Sequence, residues 1–225
     1  MIVPFLNPGE NGYDFLGIFA KEPVAGEVKT RLSPPLSFDQ AAELYRLALH
    51  ETVKRMIQAG FRPTLFFSGR EDYFRRFFSG LPLLSQGDGD LGERLERALS
   101  GQLMAGFRKV VVIGSDSPDI PPGIIKKAFA FLAREEVVVS PALDGGYVLI
   151  GESRHHAELF RNIPWGSDQV LNKTRQRAKE KGLVLWELES WEDIDDAASL
   201  ERFLRRSPAS PVSIYVRRHL HFAKG

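Results

Sequence analysis

The chain has 225 residues, no cysteine and a formal net charge of +1 from 30 basic and 29 acidic side chains. That length suits a single domain, residues 1–225, with a full-sized core. The lack of cysteine excludes disulfides, thiolate metal sites and thiol nucleophiles together. Nearly cancelling charge argues for no nucleic-acid partner and no acidic membrane surface. No stretch reaches the length of a membrane span, and the N-terminal run lacks the basic flank and apolar core of a signal peptide. A soluble, cytoplasmic protein is the expectation.

Residues 1–13, with Pro4, Asn7, Pro8, Gly9, Asn11 and Gly12, read as an irregular leader. An apolar strand is predicted over 14–20, followed by a loop holding Pro23, Gly26, Pro34 and Pro35. Helical periodicity covers 38–59 through Ala41, Ala42, Leu44, Tyr45, Leu47, Ala48, Leu49, Val53 and Ile57, and Gly60 closes it. A strand over 64–67, a short helix over 73–78, an apolar link over 81–84 and a helix over 91–104 come next. Val110-Val111-Val112-Ile113 is a run of β-branched residues, the pattern of a strand buried on both faces.

Beyond it the pattern predicts a helix over 124–133, a strand over 137–141 and a neighbouring or antiparallel strand over 147–150. A helix over 168–181, a strand over 184–186 and a last helix over 197–206 complete the reading, without internal repeats. Strands alternating with helices of this length imply an α/β protein, a three-layer α/β/α sandwich with a mostly parallel central sheet.

Five segments carry candidate chemistry. Gly114-Ser115-Asp116-Ser117-Pro118-Asp119 lies just past the central strand, at the edge where open α/β sheets bind ligands. A carboxylate there suits a divalent cation carrying phosphates. The alternative is that Asp116 shapes a turn and Asp119 caps the helix starting near Pro121. The first loop gathers Lys21, Gly26, Lys29, Thr30 and Arg31, and backbone N–H groups with such cations can hold diphosphate oxygens. Its spacing is not that of a Walker loop, and a solvated basic loop is the plain alternative.

Gly89-Asp90-Leu91-Gly92-Glu93-Arg94 opens a helix, and its glycines permit close approach of backbone to a ring; otherwise it is a glycine turn capped by Asp90. Asp144-Gly145-Gly146-Tyr147 carries the strongest short hairpin signal, at what could be the active edge of the sheet. Trp165-Gly166-Ser167-Asp168 opens a further helix, with Ser167 as candidate N-cap and Asp168 suited to the positive end of its dipole. His155-His156 has no third ligand at a recognisable spacing, so zinc is not expected. The tail Arg217-Arg218-His219-Leu220-His221 reads as solvated surface or an oligomer contact, which leaves room for a homodimer. Trp186 and Trp191 read as packing residues.

Taken in order, Ala20-Lys21-Glu22-Pro23-Val24-Ala25-Gly26-Glu27-Val28-Lys29-Thr30-Arg31-Leu32, the helix with Ala41-Ala42-Glu43-Leu44-Tyr45, and the blocks at 87–94, 114–119, 144–147 and 165–168 form a shared pattern over residues 15 to about 205. That pattern resembles a bacterial family of glycosyltransferase-like proteins within the nucleotide-diphospho-sugar transferase superfamily, with the GT-A fold. It is also similar to the guanylyltransferases of deazaflavin-cofactor and molybdenum-cofactor biosynthesis.

The resemblance implies that Ala20, Lys21, Gly26, Lys29, Thr30 and Arg31 wrap nucleotide phosphates, with Ser115 beside them. Gly89, Asp90, Gly92 and Arg94 would lie near base and ribose. Asp144, Gly145, Gly146, Tyr147 and Trp165 would face the sugar or acceptor. Asp116 would hold Mg²⁺ or Mn²⁺, with Asp168 completing the shell. The family's second acid is replaced here by Ser117, and Asp119 is expected to cap a helix instead. The turn Glu192-Asp193-Ile194-Asp195-Asp196 departs from the relatives' Asp-x-Asp-Thr-Pro-Glu-Asp at Ala197 and Ala198. Capping is its expected role, with Asp193 or Asp195 near the metal as the alternative.

Three functions follow. The first is sugar transfer from a nucleotide sugar to a small-molecule acceptor, using Asp116, Lys29 and Arg31 on the leaving diphosphate and Asp144 or Asp168 as base. The second is nucleotidyl transfer from a nucleoside triphosphate with release of pyrophosphate, which the cations of the first loop suit. The third is a non-catalytic nucleotide-binding module, motivated by Ser117 and the altered acidic turn.

Overall fold

The computed structural model describes residues 14–219. The expected leader therefore lies outside the described residues, as do Leu220 and His221 of the basic tail. Strands β1 (Asp14–Lys21), β2 (Thr64–Ser68), β3 (Leu83–Ser85), β4 (Lys109–Gly114), β5 (Val137–Pro141), β6 (Tyr147–Glu152) and β7 (Leu185–Glu187) form one sheet in the order β3-β2-β1-β4-β6-β5-β7. All pair in parallel except β6, which runs antiparallel between β4 and β5. Among the described residues the α-helices are α1 (Phe38–Gln58), α2 (Glu71–Phe77), α3 (Leu91–Met104), α4 (Pro122–Phe131), α5 (Val170–Glu180), α6 (Ala197–Arg206) and α7 (Pro211–His219), the last two following β7 in succession.

The run at β4 shows why the sheet is buried on both sides. Val111 and Ile113 enter a core with Leu49, Val53 and Met56 of α1, Phe74 of α2, and Ile124, Ile125 and Ala128 of α4. Val110 and Val112 point the other way, among Leu95, Ala98 and Leu99 of α3 and Leu171 and Ala178 of α5. The period-2 pleat sends successive side chains to opposite layers, so an uninterrupted apolar run is what a three-layer sandwich requires.

α1 carries a second apolar stripe. Ala41, Leu44 and Ala48 pack with Leu200 and Phe203 of α6, Val212 and Val216 of α7, Ile194 and Leu32. The described part of the basic tail, residues 217–219, ends α7 with its side chains exposed, as expected of solvated surface, and Arg217 donates to the carbonyls of Pro208 and Leu204. The apolar link over 81–84 is corrected, since 83–85 form the edge strand β3. Among the described residues no helix is long and apolar enough to cross a membrane.

Candidate active site

The order of strands reverses between β1 and β4: the chain passes from β1 to β2 and β3 on one side, then returns to β4 on the other. A crevice at the carboxyl ends of these strands follows from that reversal. It is a cleft of about 700 Å³, lined from β1 by Phe19, Ala20 and Lys21 and from β4 by Gly114, Ser115 and Asp116.

The first loop is pinned at its start and end. The Glu22 N–H donates to the Ser68 carbonyl, and the buried Glu22 carboxylate accepts from the Arg70 backbone and guanidinium at 2.8 Å each. At the far end Leu32, fully buried, anchors the 3₁₀ turn Thr30–Leu32. Lys29 precedes that turn with φ +48°, a left-handed conformation that a non-glycine residue takes up only at a cost. Its Nζ lies 2.9 Å from Asp116 Oδ2 and 3.6 Å from Asp195 Oδ1, with the side chain 7% exposed. Arg31 stays outside and donates to Asp195 Oδ2 at 2.7 Å.

Asp193 and Asp195 also line this cleft. Ile194 between them is 1% exposed in the outer core, and its N–H donates to the Asp116 carbonyl at 2.9 Å. Its neighbours turn the other way: Asp195 meets Lys29 and Arg31, and Asp193 lies in the field of Asp116. The expectation of a capping turn therefore holds for Asp196, whose carboxylate accepts from the Ser199 N–H, but not for Asp193 and Asp195.

The charges act on one another. Burial pulls Lys29 down, but Asp116, with Asp195 and Asp193, outweighs it and holds the ammonium firmly charged. Burial pushes Asp116 up, and the Lys29 ammonium more than offsets it, so Asp116 stays below the usual carboxylate range. Asp193 is pushed up to about 7 by burial and then by the charge of Asp116, with Asp144 and Asp195 adding to the effect.

On the other wall, Asp90 and Glu93 form a capping box at the start of α3, and Arg94 donates through Nε to the Gly89 carbonyl. Gly89, Asp90 and Arg94 line the cleft; Gly92 lies behind it, against the indole of Trp165. Trp165 meets Tyr147 edge-on at 6.2 Å. The β5–β6 connection is held by the Gly146 N–H on Asp144 Oδ1 at 2.9 Å and by the Leu171 N–H on the Gly145 carbonyl at 2.8 Å. Gly145, at φ +90°, packs against the backbone of Asp168 and leaves no room for a Cβ. Asp144, Gly146 and Tyr147 line the cleft; Gly145 and Gly26 do not.

Two expectations on acids are revised. Asp168 presents its backbone to Gly145 while its exposed carboxylate accepts from Gln169 Nε2, and it is absent from the cleft lining. The acids that share the cleft with Asp116 are Asp193, Asp195 and Asp144. The α5 N-cap is Gln169 without a side-chain cap bond; Ser167 Oγ instead donates to the Pro164 carbonyl and accepts from the Gln169 N–H. Asp119 does not cap α4, whose N-cap is Pro121. It is 5% exposed and accepts from Arg206, from Ser207 Oγ at 2.7 Å and from Trp191 Nε1 at 3.1 Å. The cleft is also lined by Gln86, whose amide donates to the Ala20 and Phe66 carbonyls, and by Tyr45, which the helical pattern places only on an apolar face. Gln86 sits beside the glycine-rich stretch 87–92, and nothing local marks it out.

Among the described residues no three histidine, aspartate or glutamate side chains converge into a self-sufficient metal cage. Asp116 with Asp193 nearby offers hard oxygen donors, the arrangement that binds Mg²⁺ or Mn²⁺ when substrate phosphates complete the shell. The donor set fits a divalent cation whose shell is completed by oxygens from outside the chain.

Comparison with solved structures gives the same fold. A candidate nucleotide-diphospho-sugar transferase from Desulfovibrio desulfuricans G20 matches 91% of this chain and 94% of its own at 28% identity, with a TM-score of 0.83. A nucleotidyl transferase from Methanothermobacter thermautotrophicus matches 92% of this chain and 99% of its own at 17% identity and a TM-score of 0.56. Rv0371c from Mycobacterium tuberculosis H37Rv, solved in complex with manganese, matches 86% and 98% at 18% identity and a TM-score of 0.52. No curated protein matches the chain. The fold is thus that of nucleotide-diphospho-sugar transferases and nucleotidyltransferases. Residues 52–167 match the profile described as "Uncharacterized protein conserved in bacteria (DUF2064)", and the chain belongs to that bacterial family.

Proposed function

We propose that this protein is a metal-assisted transferase that moves the sugar of a nucleoside diphosphate sugar to the hydroxyl of a small acceptor. The observation that carries the reading is the meeting, in one cleft, of a cationic loop (Lys21, Lys29, Arg31) with the carboxylates of Asp116, Asp193 and Asp144. The cations and the N–H groups of the loop hold the diphosphate, and Gly89, Asp90 and Arg94 lie where base and ribose fit. Tyr147 and Trp165 wall the sugar or acceptor end. Mg²⁺ or Mn²⁺ on Asp116 supplies neutralisation of the charge that grows on the leaving diphosphate.

In the transfer the bond from the anomeric carbon to the diphosphate oxygen breaks and a bond to the acceptor oxygen forms. The hydroxyl proton must go to a base. Asp193, with Asp144 as the alternative, takes it: a carboxyl titrating at about 7 is matched to that task at neutral pH. The Desulfovibrio protein, similar over nearly its whole length, supports the same class.

Nucleotidyl transfer is the second reading, and the burial of Lys29 among acids favours it, because a fixed ammonium suits a leaving pyrophosphate. A phosphate nucleophile is already anionic and needs no base, which is why the acid cluster favours sugar transfer. Incubation of the protein with Mn²⁺ and a panel of nucleotide sugars and triphosphates separates the two. Release of a nucleoside diphosphate with an acceptor supports the first, and release of pyrophosphate overturns it in favour of the second. Nucleotide binding without turnover on any acceptor points to a binding module.

A further inference from the structure

Tyr45 lies on the inner face of α1, 5% exposed, with its hydroxyl between the two loops that carry the charges. The Lys21 backbone N–H donates to Tyr45 Oη at 2.9 Å, and Tyr45 Oη and Ser115 Oγ share a hydrogen bond of 2.7 Å. About two turns further on, on the same helix face, Thr52 Oγ1 reaches the Ser115 carbonyl at 3.2 Å. α1 thus holds Ser115 by its side chain and by its peptide, and the next residue is Asp116. From the opposite side the Ile194 N–H holds the Asp116 carbonyl.

The pairing of β1 with β4 ends at Phe19 and Gly114. Lys21 and Ser115 lie beyond it, so the strands themselves do not fix how far the first loop stands from Asp116; the Tyr45 hydroxyl bridges that gap. Phenylalanine would fill the same space without burying a hydroxyl, which is costly unless it is bonded. The apolar stripes of α1 do not need the oxygen.

We propose that Tyr45 is a positioning residue for the transfer reaction, setting the distance between the cationic first loop and Asp116. The inference rests on the transferase reading above. A group that orients a metal-binding carboxylate through an intervening hydrogen bond changes affinity or rate by about 10- to 100-fold when it is lost.

The test compares wild type, Tyr45→Phe and Ser115→Ala. Mn²⁺ binding in the presence of pyrophosphate is followed by the free-ion paramagnetic resonance signal, and amide hydrogen exchange is followed at residues 19–22 and 114–117. The expected result is Mn²⁺ affinity about 10- to 100-fold weaker in Tyr45→Phe, with faster exchange at both loops and a melting temperature near that of wild type. Ser115→Ala should give the same loss, and the double variant no more than either alone. Unchanged exchange and unchanged Mn²⁺ affinity in Tyr45→Phe would overturn the proposal. Failure of wild type itself to bind Mn²⁺ with pyrophosphate would overturn the transferase reading and this role with it, and it is told apart because no variant is involved. Once a substrate pair is known, the loss should appear as a raised KM for the metal-bound donor at limiting Mn²⁺ and be relieved at saturating Mn²⁺.

Discussion

The Lys29 ammonium lies 2.9 Å from Asp116 Oδ2 and 3.6 Å from Asp195 Oδ1, so one buried cation ties the first loop to the end of β4 and to the acidic turn before α6. Without it, Asp116, Asp193 and Asp195 would face one another with Arg31 as the remaining close partner. A group placed on developing diphosphate charge is worth about 10²- to 10³-fold in rate. Lys29→Met should therefore lose at least that much turnover. It should also melt lower than wild type at alkaline pH, with the gap narrowing as acid protonates the carboxylates. Lys29→Arg should not restore activity, because a planar fork does not fit the space of a compact ammonium. Turnover and thermal melts of the three proteins across pH check both points; an active Lys29→Met would remove Lys29 from the reaction.

Asp193 gives a pH dependence with a definite sign. Its carboxyl is held at about 7 in the folded protein against an ordinary 3.8, by burial first and the charge of Asp116 second. Between those values the folded state binds more protons than the unfolded one, so this group makes stability fall as pH rises through the window. Asp193→Asn removes that penalty. The variant should melt above wild type at about pH 8 and level with it near about pH 4, by roughly 2–4 °C for each kcal/mol recovered in a chain of this size. It should also lose sugar transfer to a hydroxyl acceptor, because an amide cannot take the proton. Melting curves that run parallel across the range would mean Asp193 ionises without penalty.

The parts legible from sequence are those written in local periodicity. The β-branched run of β4, the amphipathic stripe of α1 and the capped start of α3 announce themselves within a few residues. β3 and α7 did not, one being a three-residue edge strand and the other a short helix buried mainly through Val212, Ser213 and Val216. At the site, cations and glycines stood out because loops gather them visibly. The pairing of Lys29 with Asp116 spans 87 residues, and no local pattern predicts such a partner. The acidic turn is an instructive case: Asp193-Ile194-Asp195 carries an in-out alternation, but its meaning depends on Ile194 reaching a core built by α1, α6 and α7.

Gly92 controls the wall of the cleft at one remove. A Cβ there would overlap Trp165 Nε1 and crowd the Phe160 carbonyl, so the indole rests on bare backbone in the first turn of α3. Gly92→Ala gains a little helix propensity but must push the ring away. Overpacking of this kind costs about 1–3 kcal/mol. The expected outcome is a shifted tryptophan emission, a lower melting temperature and weaker donor or acceptor binding, with Lys29 and Asp116 still paired. A variant as stable and as tight-binding as wild type would show that Trp165 has room to move.

Asp119 separates two roles by magnitude. A helix cap lost to alanine costs about 1 kcal/mol. Removing one partner of a buried, hydrogen-bonded ion pair costs about 3–5 kcal/mol, because the other charge is left behind. Asp119 is such a partner: it accepts from Arg206 Nε at 2.6 Å, from Ser207 Oγ and from Trp191 Nε1, and Arg206 also reaches Glu192 at 3.1 Å. These bonds fasten the C-terminal end of α6 beneath the loop that carries Asp116. Asp119→Ala should therefore cost more than a lost cap when unfolded by urea, while Glu192 and partial exposure of Arg206 keep it at the lower end of the larger range. At temperatures where it stays folded, its metal-dependent nucleotide binding should remain within a few-fold of wild type, since Asp119 faces α6 rather than the cleft. A loss of only about 1 kcal/mol would return Asp119 to the role of a simple cap. Full stability with no nucleotide binding would instead place it in the site.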